Sequence, residues 1–205
     1  MRSVLQLILI LLVGWSVFEC LFGVTHLDLA PDAPLQVTLT PGKVAPWTYH
    51  GCIFTPLATY NITARILHRC AYPPSSDQFA LVCPLDLALG WGRMSDPTVY
   101  DQLEIGQINR FYRWQNSFFS ASNALPIPED EIIRSSANTH VIPANNDIND
   151  QLFSYSSGDV IKLTGYLVGI VGPDGWNCRS SLIRTDIGPG ACEIMWVNEA
   201  AKIGR

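Results

Sequence analysis

The sequence predicts a mainly β domain, a small OB-like or SH3-like barrel or sandwich with a few short helices, preceded by an N-terminal hydrophobic helix. Two observations favour this class. Short stretches of alternating polar and apolar residues recur along the chain, and turn-forming residues separate them about every ten positions. Residues 158–171 also carry an internal glycine in an amphipathic stretch, which is typical of a curved barrel strand because glycine relieves crowding at a bend.

The N-terminal segment is a membrane anchor or an export signal. One basic residue, Arg2, precedes an almost unbroken apolar run from Val4 to Val24. Crossing the hydrocarbon core takes roughly 20 apolar residues, so the run is long enough to span. The residues before any cleavage position are bulky, and Cys20 follows Glu19 where lipid attachment needs small residues. We expect a signal-anchor over residues 4–23, with a cleaved signal peptide and a lipoprotein as the alternatives.

The anchor predicts where the rest of the chain lies. A basic residue ahead of the apolar run keeps the N-terminus in the cytoplasm. The domain would then lie in the periplasm, attached to the inner membrane through residues 4–23. It would be periplasmic or secreted if the signal is cleaved. The expected partners are therefore the membrane and an envelope protein or another envelope component.

The first half of the body predicts a tether and three strands. Residues 25–48 contain four prolines and predict a tether followed by a first strand at residues 36–39. Residues 57–69 alternate in the period of a half-buried strand. Residues 103–114 are rich in aromatic side chains and predict a single strand with aromatics on both faces. Between them, Gly90-Trp91-Gly92 predicts an irregular segment.

The second half predicts two helices and the strongest strands. Pro128 followed by three acidic residues begins a short helix that ends near Ala137. A short strand or turn follows at 139–143. A second short helix covers 145–153, the clearest strand covers 158–171, and the last strand covers 190–198. Residues 49–205 are thus expected to form a single β-rich domain.

Composition argues against a nucleic-acid partner. The formal net charge is −5 and charged residues make up only 15% of the chain. A general nucleic-acid binder carries a basic patch that neutralises several phosphates. We expect no nucleic-acid binding and no cofactor.

The cysteines predict disulfides rather than a metal site. Five of the six cysteines follow the N-terminal segment, and none has the spacing of a zinc site. Exported cysteines in an oxidising compartment tend to pair. Cys178 and Cys192 bracket a short turn-rich segment and are expected to form one bridge. Cys70 is expected to pair with Cys83, or alternatively with Cys52.

The densest cluster of reactive residue types lies near the C-terminus. Arg184 and Asp186 are two positions apart, so on a strand their side chains share one face. A cation and a carboxylate on one face can bind a polar ligand. The alternative is a disulfide-closed hairpin in which Asp186 caps a Gly-Pro-Gly turn.

Two further segments supply candidate site residues. His140 lies among polar neighbours and is a candidate general base, with Asn138 placed to orient it or to bind a ligand. The alternative is a structural histidine within a loop. Trp91, between two glycines, is a candidate wall of a ligand groove, or else a plug of the core.

Several blocks, taken together, resemble a known group of proteins. These are DLALGWGRMSD, INRFYRW, HVIPA, GDVIKLTGYLV and SSLIRTDIGPGACE. Their order is similar to that in a family of bacterial exported proteins of uncharacterised function. The resemblance spans residues 55–198. It implies export and a single domain, and it supplies no activity.

Two functions follow as hypotheses. The first is a membrane-tethered, non-enzymatic protein that binds or assembles with a component of the cell envelope. The alternative is an envelope hydrolase that uses His140 with Asp186 and either Ser180 or Ser181. Neither serine lies in a Gly-x-Ser-x-Gly elbow, and the chain lacks a His-Glu-x-x-His metal motif.

Overall fold

The computed structural model describes residue 30, residues 33–118 and residues 124–204. The predicted hydrophobic helix at residues 4–23 lies outside these ranges. Within them, no helix has both the length and the apolar character needed to cross a bilayer.

The described chain is mainly β, as the sequence predicts. Its strands are β1 (Leu35–Thr38), β2 (Trp47–Tyr49), β3 (Cys52–Ala71), β4 (Leu85–Gly90), β5 (Leu103–Ile108), β6 (Phe111–Asn116), β7 (Ser136–Pro143), β8 (Val160–Val171), β9 (Asn177–Arg179) and β10 (Glu193–Gly204). Its α-helices are α1 (Pro97–Tyr100), α2 (Glu129–Arg134) and α3 (Asn146–Ser154). Single 3-10 turns occupy Phe79–Leu81 and Gly92–Ser95.

Five strands close into a barrel. Strand β3 pairs with β4, β4 with β7, β7 with β10, β10 with β8, and β8 again with β3. Every pair is antiparallel except β7 with β10, which is parallel. Strands β1 and β2 add to β3, and β9 adds to the outer end of β8. The predicted strands at 158–171 and 190–198 are therefore neighbours, as β8 and β10.

The barrel interior is built from the alternation that the sequence shows. In β3, Tyr60, Ile62, Ala64 and Ile66 are all buried in one apolar cluster. Side chains two apart on a strand share a face, so this set lines the interior while the residues between them face outward. Burial of such a set supplies the main favourable free energy of folding.

Gly165 permits the closest approach between two barrel strands. A Cβ atom at this position would lie 1.9 Å from the carbonyl oxygen of Trp196 on β10. The pairing of β8 with β10 shifts register between Val197 and Glu199, next to this contact. The internal glycine of the predicted curved strand is thus needed where β10 bulges against β8.

The prediction of a single strand at 103–114 is wrong, because this segment forms a hairpin of two strands. Strand β5 pairs antiparallel with β6. Asn109 and Arg110 make the turn with φ values of 50° and 68°. A two-residue hairpin turn of this kind needs positive φ at both central residues. Because neither residue is glycine, the usual turn signal was missing from the sequence.

Two other boundaries also differ from expectation. Strand β4 lies in the segment before Trp91, where no strand was predicted. Helix α2 ends at Arg134, and β7 begins at Ser136, so Ala137 is in a strand rather than at the end of a helix. Strand β7 forms backbone hydrogen bonds with β4 on one side and β10 on the other, and this pairing outweighs the local helix propensity of Ala137.

Helix α3 closes one part of the barrel between β7 and β8. The Asn145 side chain accepts a hydrogen bond from the backbone N–H of Ile148, at 3.0 Å, and so caps the helix. Ile148 and Leu152 are buried in the interior cluster. This helix matches the one predicted at 145–153.

Candidate functional site

Three polar side chains meet on the outer face of neighbouring barrel strands. Asp86 of β4 is directly opposite His140 of β7, and His140 is in register with Ile194 of β10. Cys192 precedes Ile194 by two residues, so its side chain falls on the same face as His140. His140 Nδ1 lies 2.8 Å from Asp86 Oδ1. The Cys192 thiol is close enough to the imidazole to help raise the pKa of His140.

The environment of His140 favours the imidazolium. Burial alone would lower the pKa of His140, but hydrogen bonds and charge from Asp86, and from Cys192, outweigh burial and raise it to about 9. Asp86 is completely buried, and His140 is 7% exposed. With Nδ1 facing Asp86, Nε2 is the second ring nitrogen of His140. The Asp86–His140 pair and the neighbouring Cys192 thiol are together named the relay.

Arg110 fixes the carboxylate of this relay. Its Nη1 lies 3.1 Å from Asp86 Oδ1, and its Nε lies 3.2 Å from Asp77 Oδ2. The guanidinium centre is 3.8 Å from the Tyr72 ring centroid and 4.8 Å from that of Phe79. Because the β5–β6 turn presents Arg110, that hairpin sets the orientation of Asp86.

Asn138 holds its amide beside the thiol. Its Oδ1 accepts from Gln107 Nε2 at 2.6 Å, and its Nδ2 donates to the Arg110 carbonyl at 2.8 Å. The same Nδ2 lies 3.4 Å from Cys192 Sγ. An amide nitrogen carries two hydrogens, so one of them is directed towards the sulfur.

Cys192 opens onto a cavity of about 310 Å³. Strand β7, the β5–β6 hairpin and the segment that leads into β10 form its walls. Aromatic side chains from β6 line one side, and Arg184, Asp186 and Glu193 line the other. The cavity thus gives an external molecule access to the thiol, while Asp86 and His140 stay buried.

The cavity lining includes a buried ion pair. Arg184 Nη1 lies 2.8 Å from Glu193 Oε1. Glu193 is only 4% exposed, and burial raises its pKa to about 7, with Arg184 opposing the rise and Asp186 adding to it. Its second oxygen, Oε2, has no hydrogen-bond partner among the described residues.

A metal ion is a poor fit for the cluster around Asp86. Ligand atoms of Cys83, Asp86 and His140 lie within 4.8 Å of one another. The Arg110 guanidinium, however, is 3.1 Å from Asp86 Oδ1 and 3.9 Å from Cys83 Sγ, so positive charge is already present there. Burial and the Asp86 charge also raise the pKa of the Cys83 thiol well above its ordinary value, whereas a metal ligand must be a thiolate.

The serines of the predicted hydrolase are structural. Ser180 Oγ donates to the Ser181 carbonyl and accepts from the Ile194 N–H. Ser181 Oγ donates to Asp186 Oδ2 at 2.6 Å. Asp186 therefore holds a loop together, and the carboxylate that pairs with His140 is Asp86. Of the predicted ligand-binding residues, Arg184, Asp186 and Asn138 line the cavity.

Trp91 is part of the core rather than a groove wall. Its side chain is 2% exposed and belongs to the barrel interior. The Arg184 guanidinium lies 5.3 Å from its ring centroid. The structure therefore matches the core-plug alternative for Trp91, which contacts the cavity lining through Arg184.

The predicted disulfides are absent from the structure. All five cysteines in the described ranges are free thiols: Cys52, Cys70, Cys83, Cys178 and Cys192. Cys178 lies on β9 opposite Ile170 of β8, whereas the Cys192 carbonyl accepts a hydrogen bond from the Ser181 backbone N–H at 3.1 Å. Cys83 instead lies beside Asp86.

Sequence reasoning missed three members of the site. Asp86 is an acid within the apolar stretch LDLALG, which is the signal that could have marked it. The sequence predicts that Cys192 forms a disulfide and that Arg110 lies within a strand. Asp86 and His140 are 54 positions apart, so no local pattern in the sequence connects them.

No protein-family model, curated protein or solved structure matches this chain.

Proposed function

We propose that this protein is an acyl-transfer enzyme, a hydrolase or transferase, with Cys192 as nucleophile and His140 as general base. The observation that carries the proposal is the 2.8 Å contact between Asp86 and His140, with the neighbouring Cys192 thiol in the lining of the cavity. A nucleophile bonded to a base that a third group orients is the general signature of covalent catalysis.

The first chemical step forms a thioester. The step starts from the neutral imidazole, which is the form of His140 that prevails above its pKa of about 9. This imidazole takes the proton from Cys192 Sγ, and the resulting thiolate attacks the carbonyl carbon of the substrate. The carbonyl π electrons move to oxygen, which becomes an oxyanion next to the sulfur. The Asn138 Nδ2–H that is directed at Sγ is placed to donate to this oxyanion.

The second step expels the leaving group and frees the enzyme. The oxyanion reforms the carbonyl as the bond to the leaving group breaks, and the His140 imidazolium donates its proton to that group. Water, or another acceptor, then attacks the thioester with His140 again as base. The thiol of Cys192 is restored when the acyl group departs.

Asp86 and Arg110 are positioning residues in this scheme. The carboxylate keeps the Nδ1–H tautomer of His140 and stabilises the imidazolium of the intermediate. Arg110 holds the carboxylate in place through its 3.1 Å contact with Oδ1. Loss of either contact would let the imidazole rotate away from the sulfur.

A second candidate is the binding role in the cell envelope. Its support is the position of the cavity on a barrel that we propose to be OB-like. The order of the five barrel strands is first, second, third, fifth, fourth. Barrels of this type bind ligands on the second and third strands and with the loop between the fourth and fifth. Here β7 and the segment before β10 occupy those places.

The proposed location is the periplasmic side of the inner membrane, with residues 4–23 as the anchor. The apolar run and Arg2 support it. Fractionation of a C-terminally tagged protein tests it, and the full-length chain should sediment with membranes. Recovery of full-length protein in the soluble cytoplasmic fraction would overturn this location.

The enzymatic proposal is tested by acylation of Cys192. The purified protein is treated with p-nitrophenyl acetate, p-nitrophenolate release is followed, and the acetylated residue is located by peptide mass spectrometry. We expect a burst with acetyl on Cys192. His140→Ala should slow the burst by about 10²-fold or more, as for loss of a general base.

The matched control is Cys178→Ala. Cys178 is also partly exposed, but burial raises the pKa of its thiol to about 11, with Cys52 adding to the rise. This variant should keep the burst, whereas Cys192→Ala should lose it. Equal acetylation of several cysteines, or a burst that His140→Ala leaves unchanged, would rule out the relay.

A further inference from the structure

A second row of side chains lies beside the relay on the outer face of the barrel. His68 of β3 is directly opposite Ala88 of β4, and Ala88 is directly opposite Asn138 of β7. Side chains of directly opposite residues lie on one face, so His68 and Asn138 point to the same side of the sheet. Two strand spacings separate them, about 10 Å, which is too far for a hydrogen bond. The small side chain of Ala88 leaves room for a bridge between them.

Gln107 of β5 forms this bridge. His68 Nδ1 lies 2.9 Å from Gln107 Oε1, and Gln107 Nε2 donates to Asn138 Oδ1 at 2.6 Å. Gln107 is 8% exposed and Asn138 is 5% exposed, so water has little access to these hydrogen bonds. A buried polar network in which each member is paired holds its side chains rigidly.

The Arg110 carbonyl determines which atom of each amide faces which partner. A carbonyl oxygen only accepts, so the Asn138 atom 2.8 Å from it is the nitrogen Nδ2. Asn138 Oδ1 then needs a donor, which is Gln107 Nε2, and Gln107 Oε1 needs a donor in turn. His68 supplies that donor as the Nδ1–H tautomer. All hydrogen bonds of the row therefore share one consistent direction.

This direction determines which atom Asn138 presents to Cys192. With Nδ2 donating to the Arg110 carbonyl, its second hydrogen is directed at Cys192 Sγ, 3.4 Å away. If the Asn138 amide were rotated by 180°, Oδ1 would face both the thiol and that carbonyl. An oxygen at this position would repel the oxyanion that forms when the thiolate attacks a carbonyl group.

We propose that Gln107 and His68 are positioning residues that hold the Asn138 amide with Nδ2 towards the oxyanion of the acylation step. This inference rests on the proposed acyl-transfer function and adds residues of β3 and β5 to its machinery. Gln107 acts through Asn138, and His68 acts through Gln107. Neither positioning residue needs to touch the substrate.

The test compares two reactions of Cys192, of which only one forms an oxyanion. p-Nitrophenyl acetate acetylates the thiolate through an oxyanion, whereas with iodoacetamide the sulfur–carbon bond forms directly as iodide leaves. Mass spectrometry of the Cys192 peptide over time gives both rates. Asn138→Ala should slow acetylation by about 10²-fold, as for loss of an oxyanion donor, and should leave alkylation within about twofold of the native rate.

The positioning residues are tested with variants that keep the size of the side chain. Gln107→Met removes both hydrogen bonds of Gln107, so acetylation should fall by about 5-fold or more while alkylation is unchanged. The matched control is Gln115→Met on β6, because Gln115 is exposed and donates to Glu104. This control should change neither rate.

His68 is tested by loss and retention of its donor. His68→Leu removes the donor and should slow acetylation without slowing alkylation. His68→Asn should stay close to the native acetylation rate, because the asparagine Nδ2 occupies the position of the histidine Nδ1 and also donates. A purely structural role of the ring would not distinguish these two variants by acetylation alone.

The outcomes separate the two proposals. If Gln107→Met slows acetylation and alkylation alike, or slows neither, the inference is overturned. Equal loss of acetylation in His68→Asn and His68→Leu also overturns it. Acetylation of Cys192 that Asn138→Ala leaves unchanged removes the oxyanion donor, so the inference fails while the acyl-transfer function stands. Absence of acetyl on Cys192 of the native protein refutes the acyl-transfer function itself, and the inference falls with it.

Discussion

Replacing Asp86 with asparagine should shift the titration of His140 more than any other single change in the site. In the native protein, Asp86 helps to raise the pKa of this imidazole from 6.5 to about 9. That rise corresponds to about 3 kcal/mol of preference for the imidazolium. In Asp86→Asn the burial remains, and Arg110 keeps its ion pair with Asp77 while the carboxylate beside His140 is gone. We expect the pKa of His140 to fall to 6.5 or below.

The sign of the linked stability change follows from the raised pKa. A group whose folded-state pKa is higher than its unfolded value stabilises the fold fully below the unfolded pKa. For His140 this contribution is present below pH 6.5 and is lost as the pH rises through about 9. Urea unfolding of the native protein should therefore show stability falling over that window, and Asp86→Asn should lack this part of the slope.

Nuclear magnetic resonance gives the direct measurement. Imidazole ¹⁵N shifts are followed from pH 5 to 10, and the His140 signal is assigned by its loss in His140→Ala. Asp77→Asn is the matched control, because Asp77 contacts Arg110 but makes no hydrogen bond to the imidazole. A native pKa near 6.5, or a value near 9 that survives in Asp86→Asn, would contradict the relay.

Three further predictions concern stability. Burial raises the pKa of Glu193 to about 7, so its contribution to the free energy of unfolding is present below pH 4.5 and is lost as the pH rises through 7. In urea unfolding, Glu193→Gln should remove this fall in stability between pH 4.5 and 7, which amounts to up to about 3 kcal/mol. Gly165→Ala should destabilise by about 2 kcal/mol or more in thermal melts, because its Cβ would meet Trp196. The control Gly106→Ala, with its nearest atom 4.0 Å away, should cost far less. Trp91→Ala should cost about 3–5 kcal/mol of unfolding free energy, and a value below 1 would deny its core role.

The strands were predictable where one face of a strand is buried. The alternation in residues 57–69 and the pattern of 158–171 are local signals, and both segments form long barrel strands. The helix at 145–153 was also predictable, because its Asn cap and apolar positions lie within a few residues of each other. Strand β4 was missed because it is buried on both faces and shows no alternation.

The candidate site was only half visible in the sequence. His140 and Asn138 were identified because polar residues stand out among apolar neighbours. Their partners were misassigned, since Asp186 was expected where Asp86 lies and Cys192 was expected in a disulfide. The disulfide expectation chose a cysteine close in sequence, and the hydrolase expectation chose an acid of the reactive C-terminal segment over the acid of the neighbouring strand.

The sequence by itself determined the mainly β class of the described chain, the periodicity of its long strands and the residue types available for chemistry. These properties depend on neighbours a few positions apart, which a single chain displays directly. The tertiary structure alone decided that Asp86, His140 and Cys192 share one face. That juxtaposition comes from strand register between β4, β7 and β10, and register is set by the whole packed barrel.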